Sequence, residues 1–340
     1  MFTKSFAVGT LLAVAAVGAA QARDQIQIAG SSTVLPFANV VAEQFGKANP
    51  KFKTPIVESG GSSAGLKNFC AGVGDKTIDI ANASRQIKPA EIEECKKNGV
   101  AEIEEIRIGY DGIVFASSAK GAHFKFEPVH LYKAIAAQVP VGGKLVPNPY
   151  KSWKEIDASF PDQPIMLFIP GEKHGTREVF EEKVLEAGCH TLPEIKEIKD
   201  AKAQRTACTA VRKDGLSVDI DGDYTETLAR IQRTPTAIGV FGLSFYEQNM
   251  DKIQVATVSG IKPTVETIAT GKYPVSRPLF FYVKKAHLGV IPGLKEYVEF
   301  FLSDKMVGDE GMAIDKGLIA MPKDERVKVR TAFAKGEVLK

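Results

Sequence analysis

Four times in this chain a short apolar run stops at a loop of glycine and small polar residues, and a helical pattern follows. Residues 25–29 alternate as a strand and end at Gly30-Ser31-Ser32-Thr33. Beyond Pro36, apolar Phe37, Val40, Val41 and Phe45 recur at helical spacing, with Gly46 and Pro50 as the stop. Residues 55–58 run into Ser59-Gly60-Gly61-Ser62-Ser63-Ala64-Gly65 and a helix carrying Leu66, Phe69 and Cys70. Residues 78–81 end at Asn82-Ala83-Ser84-Arg85, ahead of a helix over 89–98 that Gly99 stops. Residues 165–169 run into Pro170-Gly171-Glu172-Lys173-His174-Gly175-Thr176-Arg177 and a helix from Glu178. This repetition predicts an α/β fold with mixed, mainly parallel sheets. It also puts the loops at the carboxyl ends of strands, where open α/β sheets bind their ligands.

The rest of the chain adds elements without repeating itself. Residues 103–117 read as a long strand region interrupted at Tyr110-Asp111-Gly112, and residues 139–150 as a loop rich in Pro and Gly. Residues 237–241 read as a short apolar strand and 277–283 as a strong late one, and amphipathic helices close the chain. The start differs in kind. Lys4 precedes an apolar run over 6–20 that ends in Ala20-Gln21-Ala22, the pattern of a secretory signal peptide, and no Cys at the cut indicates a lipid anchor. Cleavage after Ala22 leaves 318 of the 340 residues, more than one hydrophobic core usually holds, so two domains are expected. No later stretch is long and apolar enough to span a membrane, and an exported, soluble protein is expected.

Helix N-termini present unpaired N–H groups and the positive end of the helix dipole. Small residues let a ligand reach that backbone, and hydroxyls add donors. Ordinary helix capping explains any one of these loops. Four together, two of them carrying Arg85 or Arg177, point to an oxyanion, whose shape suits the guanidinium fork. A net charge of +3 is not the basic excess that nucleic-acid binding uses. Enzyme signatures are missing. Residues 171–176 lack the Gly-Lys-[Ser/Thr] of a Walker loop, no G-x-S-x-G elbow occurs, and nothing in sequence brings His174 beside Ser62 or Ser84 as a base. Trp153 reads as a packing residue, and Glu91-Ile92-Glu93-Glu94 as a solvated helix face. With no Cys-x-x-Cys and five scattered His, neither a metal nor a cofactor is expected. Cys70, Cys95, Cys189 and Cys208 allow three disulfide pairings, and their clustering favours Cys70–Cys95 and Cys189–Cys208 over cross-pairing or free thiols.

The segments AGSSTVLPF, ESGGSSAGLKNF, DIANASRQIK, IGYDGIVF, GEKHGTREVF, AIGVFGLSFY and YPVSRPLFFYV, in that order, resemble the phosphate-binding periplasmic components of phosphate ABC transporters. The resemblance covers essentially the whole mature chain. It implies the type II periplasmic binding protein fold, in which two α/β domains joined by a strand hinge close over one ligand. It implies phosphate contacts from Ser32, Thr33 and the Val34 backbone, from Ser62 with Ser63 beside it, and from Gly175 and Thr176. His174 stands where the family's turn usually has Ser, and Pro170 stands in place of an earlier Arg whose charge Arg177 is expected to supply. Arg85, next to Ser84, stands where some members carry an Asp that accepts the proton of hydrogen phosphate. Asp111 is the candidate replacement acceptor.

The expectation is a non-enzymatic, monomeric periplasmic receptor that captures inorganic phosphate and delivers it to an inner-membrane ABC permease. The chain is expected to cross between domains near Ile113 and to return near Arg277. Residues 24–114 with 277–340 then form one domain and 115–276 the other. The alternatives are a receptor for sulfate, molybdate or a phosphonate, and an exported phosphatase. A buried Asp111 would repel a fully deprotonated anion, and a phosphatase wants a metal cluster or an activated nucleophile.

Overall fold

The computed structural model describes residues 23–172, 176–221 and 224–339; the signal segment and the candidates His174 and Gly175 lie outside them. Strands β1 (Gln27–Gly30), β2 (Ile56–Ser59) and β3 (Ile80–Ala83) alternate with helices α1 (Leu35–Ala48), α2 (Ser62–Phe69) and α3 (Pro89–Lys97). β1 pairs in parallel with both β2 and β3. α1 buries Phe37, Val41 and Phe45, the face that the spacing predicts. The helix does not stop at Gly46. It continues to Ala48, and Thr54 packs so closely that a Cβ at Gly46 would lie 2.3 Å from its Oγ1. Gly99, at φ +84°, does follow the end of α3.

β4 (Ile103–Ser118) runs unbroken for 16 residues, so the interruption expected at Tyr110-Asp111-Gly112 is absent. Beyond it come β5 (Lys125–Phe126), β6 (Gln138–Val141), β7 (Lys144–Pro147), β8 (Leu167–Pro170), β9 (Ser217–Ile220), β10 (Ile238–Gly242), β11 (Ile253–Val255), β12 (Thr257–Val258) and β13 (Ser276–Lys284). The main sheet has the order β2-β1-β3-β13-β4-β10-β8-β9, with β11 also on β4. Residues 103–112 of β4 pair antiparallel with β13, and residues 113–117 pair antiparallel with β10. β8 runs parallel to β10 and β9. The fold is therefore mixed α/β, with β4 carried from one half to the other. The segment read as a Pro/Gly loop is a hairpin of β6 and β7, turned by Gly142 and Gly143 at φ +58° and +79°.

Each half has its own packed interior. Ile28, Phe45, Ile106, Phe281 and Phe301 belong to one cluster, and Phe115, Trp153, Phe180, Phe241 and Tyr273 to the other. Alternation along β3 and β13 sends Ala81, Ala83, Phe280 and Tyr282 to the opposite face, against Leu66 and Phe69 of α2. Trp153 is fully buried, its ring 5.2 Å from those of Phe124 and Phe126, as a packing residue should be. Among the described residues no helix is long and apolar enough to cross a membrane.

Both favoured disulfides form. Cys70–Cys95 ties the end of α2 to α3, and Cys189–Cys208 closes a second loop, with sequence separations of 25 and 19. Loops of this length constrain the unfolded chain by about 3 kcal/mol each. Peptide mapping without reductant should recover these two links. The Cys70→Ser/Cys95→Ser double variant should lose roughly 2–4 kcal/mol in denaturant unfolding.

Candidate functional site

The carboxyl ends of β1, β2 and β3 lie at one sheet edge, and their loops interlock. The Gly60 and Gly61 amides donate to the Gly30 carbonyl at 3.0 and 2.9 Å, and the Ser31 amide donates to the Asn82 carbonyl at 2.9 Å. Only glycine fits at this crossing. Gly30 has φ +143°, and a Cβ there would meet the Asn82 carbonyl oxygen at 2.1 Å; a Cβ on Gly65 would meet the Gly30 Cα at 2.4 Å.

Ser31, absent from the sequence-derived candidates, organises the start of α1. Its buried Oγ accepts from the Thr33 and Val34 amides at 3.2 and 3.4 Å. The signal for it was present, since a serine two and three residues before those amides is the ordinary capping pattern. Ser32 Oγ donates to Glu178 Oε2 at 3.5 Å, and Thr33 Oγ1 accepts from Arg277 Nη2 at 2.7 Å. Ser62 begins α2 and accepts from the Ser84 amide at 3.0 Å, with the two hydroxyls also 3.0 Å apart. The Asn82–Arg85 loop does not cap a helix: Asn82 and Ala83 still belong to β3, and α3 starts at Pro89.

Neither arginine singled out in sequence is an open cation. Arg85 forks onto both Glu91 carboxylate oxygens at 2.8 Å and also reaches Ser63 Oγ at 3.0 Å. Glu91 is thus no mere member of a solvated face, and this pairing holds its carboxyl below the usual range against the effect of burial. Arg177 is buried. It donates to Glu181 at 2.7 Å, to Asp219 at 2.6 Å and to the Pro170 carbonyl at 2.9 Å.

A cleft of about 390 Å³ brings together Thr33 and Phe37 of one half with Thr176, Tyr224 and Ser244 of the other. Asp111 lies on its wall, as do Gln248 and Lys316. Ser32, Val34, Ser62, Ser63, Ser84, Arg85 and Arg177 are not among the residues that line it. Thr176 is bonded to the Tyr224 hydroxyl, whose acidity burial suppresses strongly. The Tyr224 ring packs 5.4 Å from Phe245. Ser244 follows β10 as its strand gives way to the helix Leu243–Glu247, so it carried the same strand-end signal as the four loops.

Asp111 is only 5% exposed, and its Oδ2 has no hydrogen-bond partner among the described residues. Burial pushes its carboxyl up to about 6, while the Arg277 guanidinium and the Gly112 amide pull the other way and Glu178 adds to the rise. Asp111 is therefore a strand residue with an unsatisfied acceptor, not a turn residue. Among the described residues no group of three or more His, Cys, Asp or Glu is arranged to hold a metal ion.

A two-lobed α/β fold with a polar cleft beside its shared strand is the arrangement of a ligand-binding protein, and sequence comparison agrees: the model of the PBP superfamily domain matches residues 15–305. The chain belongs to that superfamily and, within it, to the family of the phosphate-binding protein PstS. It is 30% identical over 300 residues to the phosphate-binding protein PstS of Staphylococcus haemolyticus, covering 86% of this chain and 80% of that one. It is likewise 30% identical over 286 residues to protein SphX of Synechococcus elongatus, covering 81% and 72%. A crystal structure described as a possible phosphate-binding protein of Planctomyces limnophilus superposes with a TM-score of 0.73 at 27% identity, over 93% of this chain and 99% of that one. An ABC-type phosphate transport receptor of Vibrio cholerae shares the fold, with a TM-score of 0.58 at 20% identity over 88% of this chain and 100% of that one.

Because burial raises the pKa of Asp111, the folded state binds its proton more tightly than the unfolded chain does. Ligand-free stability should therefore fall as pH rises from about 4 to about 6, by up to roughly 3 kcal/mol at 1.36 kcal/mol per pK unit. In Asp111→Asn this part of the pH dependence should vanish, as read by thermal unfolding across that range.

Proposed function

We propose that this protein is a receptor that captures inorganic phosphate in the cleft and hands it to an ABC permease. The observation that carries the reading is Asp111. An anion site made only of N–H and O–H donors accepts any oxyanion, whereas a buried carboxylate with an unsatisfied oxygen calls for a ligand that brings a proton. Phosphate near neutral pH carries at least one and sulfate carries none. Ser32, Thr33 and the Val34 amide contact the anion from one half, and Thr176 with the adjoining Gly175 and His174 contact it from the other. Ser62, with Ser63 and Ser84 beside it, props the loop behind them. The names of the relatives, a phosphate-binding protein and a transport receptor, support this reading over a phosphatase.

Binding draws the halves together by rotation where β4 changes partners, between Gly112 and Ile113, and where the chain returns into β13 at Ser276. On this reading residues 24–114 with 277–340 move against 115–276. The leader over 1–22 directs export to the periplasm, is removed after Ala22, and leaves a monomer that docks on the inner-membrane permease.

Competition calorimetry with phosphate, arsenate and sulfate tests the reading: phosphate and arsenate should compete and sulfate should not. Asp111→Asn should narrow the preference for phosphate over sulfate by about tenfold or more, since a donor then faces the anion. In the unaltered protein, lowering the pH through about 6 protonates Asp111 and removes the repulsion. Sulfate affinity should then rise roughly tenfold or more between about pH 7.5 and about pH 5, and Asp111→Asn should lack that rise. Equal affinity for sulfate and phosphate at neutral pH would sink the phosphate assignment.

A further inference from the structure

Arg85 and Arg177 are both consumed by carboxylates, yet a buried third guanidinium remains. Arg277, at the start of β13, is 4% exposed. Its Nη2 donates to Thr33 Oγ1 at 2.7 Å and its Nη1 to Glu182 Oε2 at 3.1 Å, with Glu178 Oε2 at 3.7 Å from Nη2. These partners belong to different halves of the molecule, since Thr33 precedes α1 while Glu178 and Glu182 follow β8. The third donor, Nε–H, is buried and has no partner among the described residues.

Across the antiparallel ladder the register partner of Arg277 is Asp111. The two side chains therefore rise from the same face of adjacent strands. Neither satisfies the other, because Asp111 Oδ2 is unpartnered as well. A buried donor and a buried acceptor left open side by side are costly, and native proteins tolerate them chiefly where a ligand completes them. A tetrahedral anion bearing one hydroxyl is complementary to both, because it has oxygens that accept and an O–H that donates. Glu178 and Glu182 balance the guanidinium charge meanwhile. At 38% and 48% exposed they are able to turn to water when the ligand's charge replaces theirs.

We infer that Arg277 is the anion-binding guanidinium of this protein, donating through Nε–H to an oxygen of hydrogen phosphate while Asp111 Oδ2 accepts from the phosphate hydroxyl. The inference rests on the oxyanion reading of the cleft and adds to it a residue that none of the four loops contains. Because the same guanidinium holds Thr33 on one side and Glu182 on the other, the ligand engages the residue that already joins the two halves at their hinge.

The test is calorimetric titration with inorganic phosphate of the mature protein and of Arg277→Gln, Arg277→Lys, Asp111→Asn and Arg277→Lys/Asp111→Asn, with nitrogen-15 NMR of arginine Nε–H groups alongside. Arg277→Gln should bind about a hundredfold more weakly. Arg277→Lys keeps the charge but loses the fork, and should bind about tenfold more weakly. The double variant should lose less than the product of the two single losses, because both residues act on one ligand. In the unaltered protein the Nε–H resonance that is missing from Arg277→Lys should shift as phosphate saturates, a readout that does not depend on Arg277→Gln folding. Binding by Arg277→Lys within about threefold of the unaltered protein, or an Nε–H resonance that phosphate leaves in place, overturns the inference while the phosphate reading stands. Failure of the unaltered protein to bind phosphate overturns that reading itself, and the inference with it.

Discussion

Everything functional in this molecule depends on one strand serving two ladders. Buried backbone N–H and C=O groups need partners, so β4 can pass from β13 to β10 only where one ladder ends as the other begins. The register shows this happening between Gly112, opposite Ser276, and Ile113, opposite Gly242. The junction is sealed by the Ile113 amide, which donates to the Val275 carbonyl, and by the Tyr273 hydroxyl, which donates to the Ile113 carbonyl at 3.0 Å. It is the place where the backbone of β4 crosses from one half to the other, which suits a hinge. Asp111 and Arg277 sit beside it because they occupy the last paired positions but one of the first ladder.

The electrostatics follow from that placement. Most buried charges here are paired at short range, as Arg177 is with Glu181 and Asp219. Buried Asp79 has Arg23, His287 and the Gln27 amide around it. A paired charge stabilises a wall and offers little to a ligand. Asp111, on the cleft wall, and Arg277, its register partner, differ in each holding one open buried atom. Their mutual attraction moderates the cost of burying either one, which lets the protein keep an acceptor and a donor in reserve.

The helix N-termini play a quieter part than their number implies. Ser31 already approaches the Thr33 and Val34 amides, and Ser62 already holds Ser84. These contacts fix the loops in position, and the positive ends of the helices add a field that favours an anion without each amide touching it. On the proposed reading, the loops shape the site and the charged pair on the shared strand supplies selectivity.

Local patterns in the sequence were enough to determine the alternation of strand, small-residue loop and helix. They also determined the two disulfides and the packing role of Trp153. Each of these depends on periodicity or on residues near one another in the chain. The unbroken course of β4 was not legible, because Tyr110-Asp111-Gly112 looks like a turn unless Arg277, 166 residues further on, is known to lie opposite Asp111. Nor was the fate of the arginines. Arg177 is taken by Asp219, 42 residues away, while Arg277 keeps a donor open. The sequence states which groups carry charge. Which charges neutralise one another, and which are left for a ligand, depends on distances of a few ångströms between distant segments, and only the folded chain sets those.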